Sequence, residues 1–144
     1  MEDSKVILVT GSSRGIGAGL VTNFAKRDFR VVINCSKSTD EANALYREIA
    51  GIAGRDKVML VKCDVSKRTA VKSMFDKIIS SYGRIDVLVN NAGLNLDGPF
   101  LEMTDEQWQR VIDINLTGNF ICSQEFVYHF NGEVGHIINI GSST

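Results

Sequence analysis

Neither sign of charge dominates this 144-residue chain, in which 16 Lys+Arg stand against 17 Asp+Glu for a formal net charge of −1. The strong positive field of a nucleic-acid binder is therefore missing, and no nucleic-acid partner is expected. Cysteine is scarce. Cys35, Cys63 and Cys122 are odd in number, widely spaced and set in apolar or strand-end contexts, which suits reduced thiols and supports neither a disulfide framework nor a zinc site; no metal is expected. No apolar stretch is long enough for a signal peptide or a membrane span, because the opening Met1-Glu2-Asp3-Ser4-Lys5 is polar and a turn comes by Gly11. A cytoplasmic location and no membrane partner are the expectation. Proline occurs once, as Pro99 in the loop over 94–100, and no linker, repeat or low-complexity tract interrupts the chain. With 44% hydrophobic and 23% charged residues, 1–144 has the composition of a single domain. A chain of this size buries about two-thirds of the surface its unfolded form exposes, enough for a core without staples.

The chain does contain a series of short, β-branched apolar runs: Val6 to Val9, Val31 to Ile33, Val58 to Val61, Val87 to Val89 and Ile137 to Ile140. None alternates with polar residues, so each reads as a strand buried on both faces, as in a parallel sheet covered by helices. Helical spacing links them. Gly17, Leu20, Val21, Phe24 and Ala25 share one face, as do Val71, Met74, Phe75, Ile78, Ile79 and Tyr82. Between these lies a helix with Ala42, Leu45, Tyr46 and Ile49 inward, capped by Ser38 or Thr39. A longer helix comes next, opened by a Thr104/Gln107 capping box, with Trp108, Val111, Ile112 and Leu116 on its apolar face. Repeated strand-helix-strand units with right-handed crossovers predict an α/β, Rossmann-type doubly wound parallel sheet of order 3-2-1-4-5, stopping after the fifth strand.

Polar and glycine-rich segments succeed the strands. The first strand runs into Thr10-Gly11-Ser12-Ser13-Arg14-Gly15-Ile16-Gly17, where a helix begins. Glycines there allow a tight turn and close backbone approach to a pyrophosphate, whose charge meets free N–H groups at the helix start. The third strand is followed by Asp64-Val65, the fourth by Asn90-Asn91-Ala92-Gly93, and the fifth by Gly141-Ser142-Ser143. Asn115 puts an amide on the otherwise apolar face of the long helix, where burial would oblige it to find partners. All these segments lie at carboxyl ends of strands or beside them, where open α/β sheets bind ligands.

The Thr-Gly-x-x-x-Gly-x-Gly spacing, Asp64-Val65, Asn90-Asn91-Ala92-Gly93, the Asn115 helix and the Ser142 strand end together resemble the short-chain dehydrogenase/reductase family, in the family's order and across essentially the whole chain. The resemblance implies that Gly11, Ser12, Ser13, Arg14, Gly15, Ile16 and Gly17 cradle the cofactor, that Asp64 and Val65 meet its adenine, and that Asn91, Ala92 and Gly93 line its nicotinamide side. The Asn90-Asn91-Ala92-Gly93 segment as a whole would also steady the central sheet. Asn115 and Ser142 would be catalytic, the serine polarising a carbonyl and the asparagine holding a water in a proton relay.

Cofactor choice is usually set after the second strand, where an acid binds a ribose 2′-hydroxyl and repels a phosphate. Here that segment is Asn34-Cys35-Ser36-Lys37, with no acid in it. Ser36, Lys37 and Arg14 are expected to meet a 2′-phosphate, with Asn34 beside them as a further cofactor-binding residue, which favours NADP(H). The implied reaction is hydride transfer between the nicotinamide and a carbonyl or alcohol carbon. The segments 93–97 and 103–108 look most like 3-oxoacyl-acyl-carrier-protein reductases, with an acyl-carrier-protein-linked substrate; sugar and alcohol dehydrogenases are the alternative.

In one respect the chain departs from the family pattern. The family's catalytic tyrosine lies beyond its serine with a lysine four residues on, and none of Tyr46, Tyr82 and Tyr128 has such a lysine. The expectation is an incomplete dehydrogenase/reductase domain, a piece of a longer protein, with an NADP-binding module lacking turnover as the alternative. A homo-oligomer, dimer or tetramer, is also implied, packed through a helix from Thr104 to about Phe130 whose outer face carries Phe126 and Phe130.

Overall fold

The computed structural model describes residues 4–37 and 39–143. Five strands, β1 (Val6–Val9), β2 (Arg30–Cys35), β3 (Val58–Lys62), β4 (Val87–Asn90) and β5 (His136–Asn139), form one parallel sheet of order β3-β2-β1-β4-β5. This is the Rossmann-type sheet expected, with the order reversing between β1 and β4. β1 and β4 are buried throughout and β2 is buried except at its first residue, as unbroken apolar runs require when helices cover both faces. β5 occupies the sheet edge, as the expected order has it, and no strand among the described residues pairs with its other side, but all four of its residues are exposed where burial on both faces was expected.

The crossovers are α1 (Gly15–Ala25), α2 (Asp40–Ala53) and α3 (Arg68–Tyr82). Thr39, rather than the alternative Ser38, which lies outside the described residues, caps α2: its side chain accepts from the Ala42 N–H. Two clusters form the core. Val21, Ala25, Leu45 and Ile49 pack with Ile7, Val9 and Ile33 on one face, while Val71, Met74, Phe75 and Ile78 pack with Leu8, Val32 and Leu88 on the other. Burying one such aliphatic side chain contributes about 1.5–3 kcal/mol, so these opposed faces hold the layers together.

The long helix is continuous but not uniform. It comprises α4 (Asp105–Ile112), a π-helical turn (Asp113–Thr117) and α5 (Gly118–His129), opened by the Thr104/Gln107 capping box with both reciprocal bonds in place. The π turn inserts about one extra residue per turn and rotates α5 relative to α4. The inward face therefore becomes Ile114, Gly118, Ile121, Cys122 and Phe126, and two expectations fail. Trp108 and Leu116 are 61% and 64% exposed instead of buried. Phe126, expected on the outer face, is 3% exposed within the core, and Phe130 stacks on it at 5.7 Å. The outer apolar surface of α4 and α5 consists instead of Trp108, Leu116, Phe120, Val127 and Tyr128.

Candidate cofactor and active site

β1 leads into Thr10, whose buried hydroxyl accepts from the backbone N–H groups of both Asn91 (3.0 Å) and Ala92 (2.9 Å). One side chain thus holds the segment after β4 against the glycine loop. The Asn91 amide returns the connection, donating to the carbonyls of Thr10 and Gly11 at 3.1 Å each. Glycine is required where these segments meet. A Cβ on Gly11, which adopts φ +58°, would stand 2.8 Å from the Ala92 Cα; one on Gly17 would stand 2.7 Å from both the Asn91 Nδ2 and the Ser12 Cα. Gly15 differs. It too is left-handed, at φ +60°, but nothing lies within 4 Å of its Cβ position, so this glycine serves the turn and leaves space above it.

The space is a cavity of about 550 Å3 beyond the carboxyl ends of the strands, within the roughly 300–1,000 Å3 range of small-molecule sites. Its lining includes Gly11, Ser13, Arg14 and Gly15 from the loop after β1, Asn34, Ser36 and Lys37 from the segment after β2, and Val65, Asn91, Ala92 and Gly93 from those after β3 and β4. No side chain caps α1, so its first-turn N–H groups are open to an anion. A glycine-lined cradle facing an uncapped helix end suits a pyrophosphate.

Not every expected contact residue faces this cavity. Ser12 is fully buried and its hydroxyl accepts from the Asn34 N–H, making it scaffold behind the loop. Ile16 and Gly17 lie outside the lining, the first exposed, the second packed inside. Asn34 touches the cavity, but its amide is committed to backbone: Oδ1 accepts from Gly11 N at 3.0 Å, and Nδ2 donates to the carbonyls of Val61 and Cys63 at 3.2 Å each. It joins β1, β2 and β3 at their shared end. Asp64 also stands behind the lining, with Val65 in front.

Two charged residues that sequence reasoning missed do line the cavity. Glu41, in the first turn of α2, lies in the same lining as Arg14 and Lys37, so the segment after β2 is free of acid but the cavity is not. Arg110 comes from α4, with a nitrogen 3.2 Å from Asp64 Oδ2. Local sequence pattern carries no signal for either. Burial by itself would push the Asp64 carboxyl up, but hydrogen bonds from Ser66 and Arg110 outweigh it and hold the group below the usual carboxylate range. Cys35 and Cys63 also line this cavity; burial raises both thiols, Cys63 to about 11.

Asn115 sits inside the π turn and is exposed, contrary to the buried amide expected, yet it is fully engaged. Its Oδ1 accepts from Leu94 N at 2.8 Å and its Nδ2 donates to Leu94 O at 3.0 Å, so the amide fixes the segment after β4 to the helix. π turns recur where a helix must re-aim a residue at a functional site. Ser142 is exposed just beyond β5, at the same end of the sheet as Asn91 to Gly93. Asn90 steadies this end, donating to Ser123 Oγ at 3.0 Å and to its register partner Asn139 Oδ1 at 2.9 Å.

The chain resembles known proteins along its length. A 3-oxoacyl-[acyl-carrier-protein] reductase of Staphylococcus epidermidis is 37% identical over 140 residues, covering 96% of this chain and 57% of the relative. A 3β-hydroxysteroid dehydrogenase of Eggerthella lenta is 38% identical over 140 residues, with 96% and 53% covered. Among solved structures, a short-chain dehydrogenase of Burkholderia cenocepacia in complex with NADP superposes with a TM-score of 0.89 at 33% identity, covering 96% of this chain and 55% of that one. The chain thus spans about half the length of the relatives it matches. The short-chain dehydrogenase family profile matches residues 5–144, and with the glycine cradle, the Asn90 to Gly93 segment and the sheet order in place, the chain belongs to that family.

Proposed function

We propose that this chain forms the NADP-binding part of an oxidoreductase that moves hydride between a nicotinamide and a carbonyl or alcohol carbon. The observation that carries this reading is the cavity at the carboxyl ends of the strands, which brings the uncapped glycine cradle together with Arg14, Ser36 and Lys37. Those residues supply two cations and a hydroxyl at the end where a 2′-phosphate would sit. Glu41 opposes them, so the preference rests on two charges against one. Ser13 and the backbone of Gly11 and Gly15 would hold the pyrophosphate; Val65, Asn91, Ala92 and Gly93 would flank the nucleotide and nicotinamide. When bound, the nicotinamide supplies the hydride. Ser142 would orient the substrate oxygen, and Asn115, by tying Leu94 to the helix, would hold the segment after β4 in place beside the reacting carbon.

The relatives' names give different substrates, a 3-oxoacyl-[acyl-carrier-protein] for one and a 3β-hydroxysteroid for the other. Of these we favour the acyl thioester, on the likeness of residues 93–97 and 103–108, with acyl-carrier protein as partner. The outer row Trp108, Leu116, Phe120, Val127 and Tyr128 supports self-association through α4 and α5, since exposed apolar rows of this kind mark contact surfaces.

The test is calorimetric titration of the full chain with NADPH and NADH. The expected result is NADPH binding at least about tenfold tighter, a modest gain for one net favourable charge contact. Equal or tighter NADH binding would overturn the phosphate assignment, and binding of neither would overturn the cofactor site itself. Turnover of a 3-oxoacyl thioester by the intact gene product then separates an enzyme from a binding module.

A further inference from the structure

One stretch of the cavity wall is supported by a helix that does not itself reach the ligand space there. Val65 lines the cavity and also lies against Gly118, the first residue of α5. A Cβ on Gly118 would stand 2.7 Å from the Val65 Cγ2 and 3.3 Å from its Cβ. Carbon atoms settle about 3.5–4.0 Å apart, so the volume a side chain would fill at 118 is taken by Val65. The backbone at Gly118 asks for no glycine: φ −59° and ψ −41° are ordinary right-handed helix, in which alanine is the better former. Its need is for space. Ile114, about one turn earlier in the π turn, lines the cavity as well, so the π turn and the start of α5 together back this wall.

We infer that Gly118 is a positioning residue for the cavity: by lacking a side chain it lets Val65 sit back, and so sets the width of the cavity where Val65 and Ile114 line it. A methyl group at 118 has to be met by movement of one partner or the other. α5 is held in place, because Ile121, Cys122 and Phe126 are buried in the core and the Asn115 amide just before it bonds both backbone groups of Leu94. Val65 has the cavity before it. Turning its side chain does not clear the contact, since its Cβ is itself only 3.3 Å away, so the residue tilts into the cavity. The displacement needed at Cγ2 is about 1 Å. This inference rests on the proposed cofactor site and adds to it a residue that touches no ligand.

The experiment measures NADPH affinity by calorimetry on the full chain, on Gly118→Ala, on Val65→Ala and on the pair, each at a temperature where urea titration shows it folded. Gly118→Ala should bind about tenfold more weakly, the scale of overpacking by one methyl group. In the Val65→Ala background the same change should cost less than about twofold, because the methyl groups it would meet are gone. A glycine needed only for folding would lower stability and leave the affinity of the folded chain unchanged. That result overturns the inference, as does an equal loss of affinity in both backgrounds. If Gly118→Ala alone does not fold, the pair decides: a folded pair that matches Val65→Ala in affinity supports the inference. A pair that stays unfolded, or that binds about tenfold more weakly than Val65→Ala, overturns it. A native chain that binds no NADPH instead overturns the cofactor site beneath it, and is told apart because no variant then has an affinity to lose.

Discussion

Three glycines in one stretch of α1 can be told apart by a single added methyl group. At Gly19, exposed and with nothing within 4 Å of the Cβ position, alanine adds helix propensity and meets no obstacle. Gly19→Ala is expected to stabilise the chain by about 0.5–1 kcal/mol. The same propensity is gained at Gly17, but there the methyl would stand 2.7 Å from the Asn91 amide nitrogen, 2.7 Å from the Ser12 Cα and 2.9 Å from the Gly11 carbonyl. Two of those three atoms are backbone, so the helix must shift or the Asn91 amide must release the carbonyls of Thr10 and Gly11. Overpacking of this kind costs about 1–3 kcal/mol, and losing one or both hydrogen bonds adds about 1 kcal/mol each. After the propensity gain is subtracted, Gly17→Ala is expected to destabilise by about 1–4 kcal/mol. At Gly15 the obstacle is conformational: φ is +60° in open space, so alanine there costs roughly 1–2 kcal/mol of left-handed strain. Its methyl would also intrude on the cradle. Urea unfolding reads these directly. With a slope of about 2 kcal/mol/M, the midpoints should lie roughly 0.3–0.5 M higher for Gly19→Ala and roughly 0.5–2 M lower for Gly17→Ala. A Gly17→Ala chain as stable as Gly19→Ala would refute the close approach of α1 to the segment after β4.

Four further outcomes are expected. Glu41→Gln should tighten NADPH binding about two- to fivefold at low salt, by removing the one acid that shares the cavity lining with Arg14 and Lys37, and should leave NADH nearly unchanged; equal effects on both would count against it. Asn34→Leu should cost about 2–4 kcal/mol in a thermal melt, because it strands the Gly11 N–H and the Val61 and Cys63 carbonyls; a loss under about 1 kcal/mol would show that water replaces the amide. Burial raises the Cys63 thiol from 9.0 to about 11 and that of Cys122 to about 12, so the folded state holds protons the unfolded chain has released; stability should therefore be intact below pH 9 and decline as pH rises toward 11–12, and a melting temperature flat across that window would contradict it. Val127→Asp should shift sedimentation toward a smaller species, because the charge falls in the exposed apolar row of α5, whereas Phe126→Asp should unfold the chain because that ring is in the core; an unchanged sedimentation coefficient for a folded Val127→Asp chain would remove the interface.

The strands, three crossover helices, the capping box at Thr104 and the order of the motifs were legible without coordinates, because each depends on residues a few positions apart. An unbroken β-branched run favours burial on both faces, as in β1, β2 and β4, although at the sheet edge β5 is exposed, and a glycine spacing states where the backbone must turn left-handed or pass close to a neighbour. The sheet order came from the handedness of the crossovers. Only the tertiary structure decided which side of each motif faces the cavity. Ser12 and Asn34 belong to the same short segments as Ser13 and Ser36, yet their polar groups turn inward to join β1, β2 and β3. The π turn around Asn115 leaves little trace in hydrophobic spacing, and by rotating α5 it exchanged the expected places of Leu116 and Phe126. Glu41 joins the cavity from the first turn of α2, while Arg110 reaches it from a helix distant in sequence and meets Asp64 across 46 residues. Local patterns encode periodicity and steric freedom; which charges meet across a cavity is settled by how helices pack on the sheet.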